Sequence, residues 1–269
     1  MRQPTLFIPH GGGPCFFMDW DPPDTWERHR AFLAGLAVTL QAPPKALLVI
    51  SGHWEAPAFT LQRNPAPALM FDYQGFPAHT YRLTWPAPGA PALAEAAAGL
   101  LRAAGLPAAF DSARGFDHGV FVPLKVAFPD AAIPCVQMSL RAGLDPAEHL
   151  AAGRALAPLR DQGVLIIGSG NSFHNLGVMI RAMRAAPPRA AAGEDFDAWL
   201  TETVTLPDPA ERDRRLMAWD RAPGARHAHP REEHLIPLHV AAGAAGAEIG
   251  VKTLEDRVLG AVQSAFRFG

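Results

Sequence analysis

Four short apolar runs constrain this chain more than anything else in it: TLFIP (5–9), ALLVISG (46–52), IPCVQMSL (133–140) and VLIIGSG (164–170). Each is rich in Val, Ile or Leu, is apolar on both faces, and is stopped by Gly, Ser or His. A strand without a polar face must be covered on both sides, as in a parallel or mixed sheet held between helices. Helical stretches fill the gaps. Residues 27–40 precede Pro43-Pro44, and residues 91–105 open with Pro and close with Gly, a start and stop pair. Residues 145–160 begin with Asp145 as N-cap and Pro146 in the first turn. Residues 58–90 read as loop with some β structure, 111–124 as loop and 185–195 as a connection. Residues 196–204 and 209–220 read as amphipathic helices, and a last strand is expected in 247–253 or 260–268. This order predicts one α/β domain over residues 1–269, with a central, mostly parallel or mixed sheet flanked by helices. A chain of 269 residues suits one large core that needs no staples.

The formal net charge is −2, which leaves no electrostatic footprint for nucleic acid or an anionic membrane. No apolar run reaches the roughly 20 residues of a membrane span. The opening MRQPTLFIPHGGG enters a strand directly and does not read as a signal peptide. The two cysteines, Cys15 and Cys135, cannot form a Cys-rich zinc site and need not pair. A cytoplasmic protein is expected.

The histidines are more informative. His10 follows the first strand, His53 the second, and His174 the VLIIGSG strand after a short turn. In open α/β sheets ligands bind at the carboxyl ends of strands, so these three are expected to converge. One histidine near a strand end is usually a surface or packing residue; three at matched positions argue for a site. Their settings agree: PHGGGP lets backbone approach a ligand closely, SGHWE offers Trp54 as a pocket wall, and GSGNSFHN permits a tight turn. Imidazole is a common ligand for zinc and iron.

Two further clusters join them. In FDHGVFVPL (116–124), His118 reads either as a helix start capped by Asp117 or as an acid/base group whose tautomer a neighbouring carboxylate sets. In HPREEHLIPLHVAAGAA (229–245), a helix entered through Pro230 is expected, with Glu232, Glu233 and His234 in its first turns. His234 reads as a metal ligand and His239 as a packing residue. His29, His79, His149 and His227 have no comparable context. The aromatic stretch 75–89 reads as a covering loop or a pocket wall, with Tyr81 as a substrate contact. Cys15 reads as a packing residue rather than a reactive thiol.

Together, PTLFIPHGGGP, SGHWE, GFPxxxYxLxWPAPG, DHGVFVPL, GSGNSFHNL and EEHLIPL, with the closing FRFG, resemble the DOPA-dioxygenase-like branch of the class III extradiol ring-cleavage dioxygenases, the LigB-like family. The blocks occur in the family's order over nearly the whole chain. The resemblance implies a single α/β domain and an enzyme that opens a catechol-type ring with O2. It implies Fe(II) in the active form, with Zn(II) a frequent occupant in purified members, and suggests a homodimer. His10 and His53 match metal ligands. His234 matches a histidine near the third ligand position, with Glu233 as rival. His174 matches a residue treated as metal neighbour or catalytic base, and His118 the other acid/base histidine. HGGGP stands where many members have HGSP, and Trp85 where Tyr is usual; both changes are expected near the pocket. Two rival readings are a zinc hydrolase using metal-activated water and a non-enzymatic metal-binding module.

Overall fold

The computed structural model describes residues 1–184 and 191–269. Its strands are β1 (Thr5–Pro9), β2 (Ala46–Ala56), β3 (Phe59–Gln62), β4 (Ala108–Asp111), β5 (Cys135–Arg141), β6 (Val164–Gly170), β7 (Gly250–Val258) and β8 (Ala261–Phe268). They form one eight-stranded sheet in the order β4-β3-β5-β2-β6-β1-β8-β7. The four apolar runs are its parallel centre, β5-β2-β6-β1. The β7–β8 hairpin pairs antiparallel at one side, and β3 pairs antiparallel with β5 at the other. The sheet is therefore mixed. Both stretches offered for a last strand are strands, and β4 was not anticipated.

Helices cover both faces: α1 (Glu27–Gly35), α2 (Pro91–Ala103), α3 (His118–Ala127), α4 (Pro146–Leu156), α5 (Pro158–Asp161), α6 (Leu176–Arg184), α7 (Glu194–Val204), α8 (Pro209–Met217), α9 (Ala225–Ala228) and α10 (Ile236–Ala245). Alternation along β2 explains the two layers. Leu47 and Val49 join the core under α3, while Leu48 and Ile50 join the one under α2, α4 and α10. All four are fully buried, each worth about 1.5–3 kcal/mol of transfer free energy. Asp145 caps α4 as expected, accepting the Glu148 N–H at 2.9 Å. Pro158 divides the 145–160 stretch into α4 and α5, because a proline cannot donate to the preceding turn. No helix among the described residues is long and apolar enough to cross a membrane.

Three local expectations are corrected. Residues 118–127 are helix α3, with Pro123 inside it, so much of the expected 111–124 loop is helical. The helix expected from Pro230 starts only at Ile236; residues 233–235 form a turn, which frees His234 from helical geometry. The expected connection at 185–195 falls partly outside the described residues, and α7 begins at Glu194.

Glycines bring that turn onto the sheet. A Cβ at Gly170 would lie 2.0 Å from the His234 carbonyl oxygen, one at Gly168 2.3 Å from that of Pro237, and one at Gly52 2.9 Å from that of Glu233. These glycines in β2 and β6 thus admit the backbone of residues 233–237 at a distance no side chain allows. We expect Gly170→Ala to cost about 1–3 kcal/mol in urea unfolding and to weaken metal binding in the same protein. Unchanged values for both would contradict this packing.

Candidate metal centre and proton-transfer groups

Because β1, β6 and β2 are adjacent and parallel, their carboxyl ends lie side by side. His10 leaves β1, and its N–H donates to the Gly170 carbonyl at 2.9 Å. His53 does not follow β2 but lies within it, since the strand runs on to Ala56. His234 descends from the turn before α10, its carbonyl accepting the Asn171 N–H at 3.0 Å.

The three rings meet. His10 and His53 bring their Nε2 atoms to 3.2 Å, and His53 and His234 do the same. The ring centroids stand 4.8, 4.8 and 5.1 Å apart. Burial, then mutual repulsion, holds His10 and His234 well below the ordinary imidazole range. Burial and the charge of His118 lower His53 to about 3. The rings are therefore neutral at physiological pH, and their inward nitrogens face one another. Three ligands about 2.0–2.1 Å from a common ion stand about 3–3.4 Å apart, so this spacing fits a divalent cation bound by nitrogen.

Two carboxylates stand behind the rings. Glu233 Oε1 accepts the His234 Nδ1–H at 2.9 Å and lies 3.2 Å from His174 Nδ1. It thus touches the outer nitrogen of His234, while Nε2 points to the centre. Burial would raise the Glu233 carboxyl, but His174 and Arg231 outweigh it and hold it low. Asp72 is the other. Its Oδ1 accepts both the Nδ1–H and the backbone N–H of His118, at 2.8 and 3.0 Å, and Oδ2 lies 3.8 Å from His53 Nδ1. Its pKa is lowered because the bonds and charge of His118 outweigh burial.

The five histidines expected to act together are together. The His118 ring centroid is 3.9 Å from that of His53. His174 stacks on His234 at 3.4 Å and 18°, and its ring nitrogen gathers with Glu233 and His234 rather than with His10 and His53. The carboxylate holding His118 is not its neighbour Asp117, which makes no side-chain cap. Asp117 is fully buried and binds Ser51 Oγ (2.9 Å), Arg114 (3.0 Å) and Gln137 instead. Burial raises its pKa, with repulsion from Asp72 adding to it. Asp72 escaped the sequence reading because its loop carries no periodic signal.

Aromatic groups flank His118. The Tyr73 ring lies 5.8 Å away, and Phe71, Phe76 and Tyr81 pack around Tyr73. The Tyr81 hydroxyl accepts the Phe76 N–H at 3.3 Å. Gly13 has φ +53°, and a Cβ there would lie 2.7 Å from the Phe76 ring, so the HGGGP loop and the aromatic wall are one packed unit. Trp54 is buried under the Arg114 guanidinium at 4.3 Å. Trp85 is a correction: it is a core residue against Phe116, its Nε1–H donating to Phe128 O at 3.0 Å. Cys15 is buried and packs where a Gly11 side chain would be. A hollow of about 800 Å³ lined by Trp20, Asp24, Arg28 and Arg257 contains none of these histidines; the chemistry lies elsewhere.

A family model described as the catalytic LigB subunit of aromatic ring-opening dioxygenase matches residues 4–267. The chain belongs to this family and is a metal-dependent aromatic ring-opening dioxygenase. It is 39% identical to a dioxygenase of Hapsidospora irregularis, over 96% of this chain and 82% of that one. It is 37% identical to a 4,5-DOPA dioxygenase extradiol of Beta vulgaris, over 97% and 93%. The solved structure of an uncharacterised Escherichia coli K12 protein superposes with a TM-score of 0.80 at 28% identity, covering 100% of both chains.

Three histidines outside the cluster are structural. The His29 and His229 rings bond the carbonyls of Pro9 (2.7 Å) and Ser172 (2.9 Å), and His149 Nδ1 that of Asp145 (2.7 Å). Burial lowers them to about 4, about 3 and about 4 respectively. A lowered folded pKa means the unfolded chain binds protons first. Stability is therefore full above about pH 6.5 and falls as pH drops toward 4, by up to about 1.4 kcal/mol per unit for each residue. Urea titrations between pH 7 and 4.5 check this, and a flat profile would refute the burial of these rings.

Proposed function

We propose that this enzyme opens catechol rings by extradiol cleavage, within one catalytic domain spanning residues 1–269. His10, His53 and His234 hold the metal, and His174 and His118 move protons. The observation that carries this reading is the division of five clustered histidines. Three gather around one point, with the Nε2 of His53 3.2 Å from those of His10 and His234, while His118 and His174 stand beside it, each sharing a carboxylate with one of those three rings. Simple metal holding needs only the first set.

The donor set suits Fe(II) in the active enzyme, and Zn(II) would occupy the same nitrogens. When bound, the metal supplies a site where catechol and O2 meet and electron density passes from ring to oxygen. The chain supplies the rest. His234, with Nδ1–H held by Glu233, presents Nε2 as a donor. His118, with Nδ1–H on Asp72, leaves Nε2 free to exchange a proton. His174 is the proposed base for the second phenolic proton, and His118, once its Nε2 has taken up a proton, the acid that assists oxygen–oxygen cleavage. Phe71, Tyr73, Phe76 and Tyr81 offer flat apolar surface for a ring, with Tyr81 as a substrate-side residue, whereas Trp54 packs under Arg114. Several relatives are named 4,5-DOPA dioxygenases, so DOPA heads the substrates to test.

Anaerobic loading with Fe(II), followed by O2 uptake across a catechol panel, tests this. We expect one O2 consumed per ring opened, with absorption from the semialdehyde product. No uptake, together with zinc-dependent ester or amide hydrolysis, would overturn it. His10→Ala and His53→Ala should each abolish metal binding with an unchanged circular dichroism spectrum; full occupancy in either contradicts the assignment.

A further inference from the structure

Asp72 and Glu233 occupy equivalent places on opposite sides of the centre. Each faces the Nδ1 atoms of one proposed metal ligand and one proposed proton-transfer histidine: Asp72 those of His53 and His118, Glu233 those of His234 and His174. A neutral imidazole carries one N–H, and a carboxylate at Nδ1 fixes it there, leaving Nε2 as a lone pair. Hydrogen bonds from the two acids thus set the tautomers of two rings, His118 and His234, while His53 and His174 stand 3.8 and 3.2 Å from the same carboxylates.

The two are not equal in their bonding. Asp72 lies 2.8 Å from His118 Nδ1, and the same oxygen accepts the His118 backbone N–H, but it stands 3.8 Å from His53. Glu233 is closer to the metal side, 2.9 Å from His234 Nδ1 against 3.2 Å from His174, through one oxygen. Its other oxygen is buried without a hydrogen bond, 3.6 Å from Arg231. We propose that the two carboxylates are positioning residues with divided tasks: Asp72 fixes the tautomer and orientation of His118, and Glu233 fixes His234 as a metal ligand without itself binding the ion. This rests on the roles proposed above for the five histidines. Two of its three tests are read without turnover.

The tests use the full chain loaded with zinc alone, which is diamagnetic. Nitrogen-15 NMR of the imidazoles should show His118 as the Nδ1–H tautomer in the wild type and displaced from it in Asp72→Ala. Zinc affinity, measured by chelator competition, should change little in Asp72→Ala and fall ~10- to 100-fold in Glu233→Ala. Asp72→Asn keeps shape and loses charge, so it serves even if the alanine variant folds poorly. On the Fe(II) enzyme it should lower kcat ~10-fold or more while KM and zinc affinity hold. An unmoved His118 tautomer in Asp72→Ala, or equal zinc loss in the two alanine variants, would overturn the division. If no catechol is turned over by wild type, the functional reading fails, while the tautomer and zinc results still decide this one.

Discussion

Three imidazole rings sharing one buried point cannot all be charged, and the structure is arranged around that constraint. Burial and mutual repulsion hold His10, His53 and His234 neutral. Neutral rings with inward nitrogens 3.2 Å apart have their lone pairs crowded together unless a cation lies between them. The surrounding chain keeps the arrangement aligned. Parallel pairing of β1, β6 and β2 sets two of the rings side by side, and the glycines at 52, 168 and 170 let the third descend on its turn.

The negative charge that balances a cation is held one residue outside the rings. Asp72 and Glu233 touch outer nitrogens and not the meeting point of the Nε2 atoms. This leaves an all-nitrogen donor set, with carboxylates raising the basicity of the rings from behind. It also ties the metal half of the site to the proton half, because each acid faces a member of both.

Much of this was legible in the chain. The apolar runs were parallel central strands because both their faces needed cover, and histidines at their ends had to share a crevice. The resemblance assigned those histidines their roles, with His174 both a metal ligand and a base, and the fold brings all five rings together. What escaped was set by tertiary contacts. Asp72 sits in a loop without periodicity, so only the fold brings it to His118, 46 positions away. The helix at 229–245 was placed too early because acidic residues after Pro230 resemble a helix start, whereas Pro237 marks the true first turn. Trp85 was expected near the pocket because it stands where the family motif has Tyr, yet its ring found a core partner and a backbone acceptor. Gly168 and Gly170 read as turn formers; their larger role is the close passage of residues 233–237, which no local pattern reveals.

One metal ion held by His10, His53 and His234, with Glu233 behind His234, would be seen in anomalous diffraction from crystals of the metal-loaded protein. We expect a single peak about 2.0–2.2 Å from all three Nε2 atoms, with Glu233 still bonded to His234 Nδ1. A peak coordinated by Glu233 in place of His234, or centred between His174 and Glu233, would contradict it.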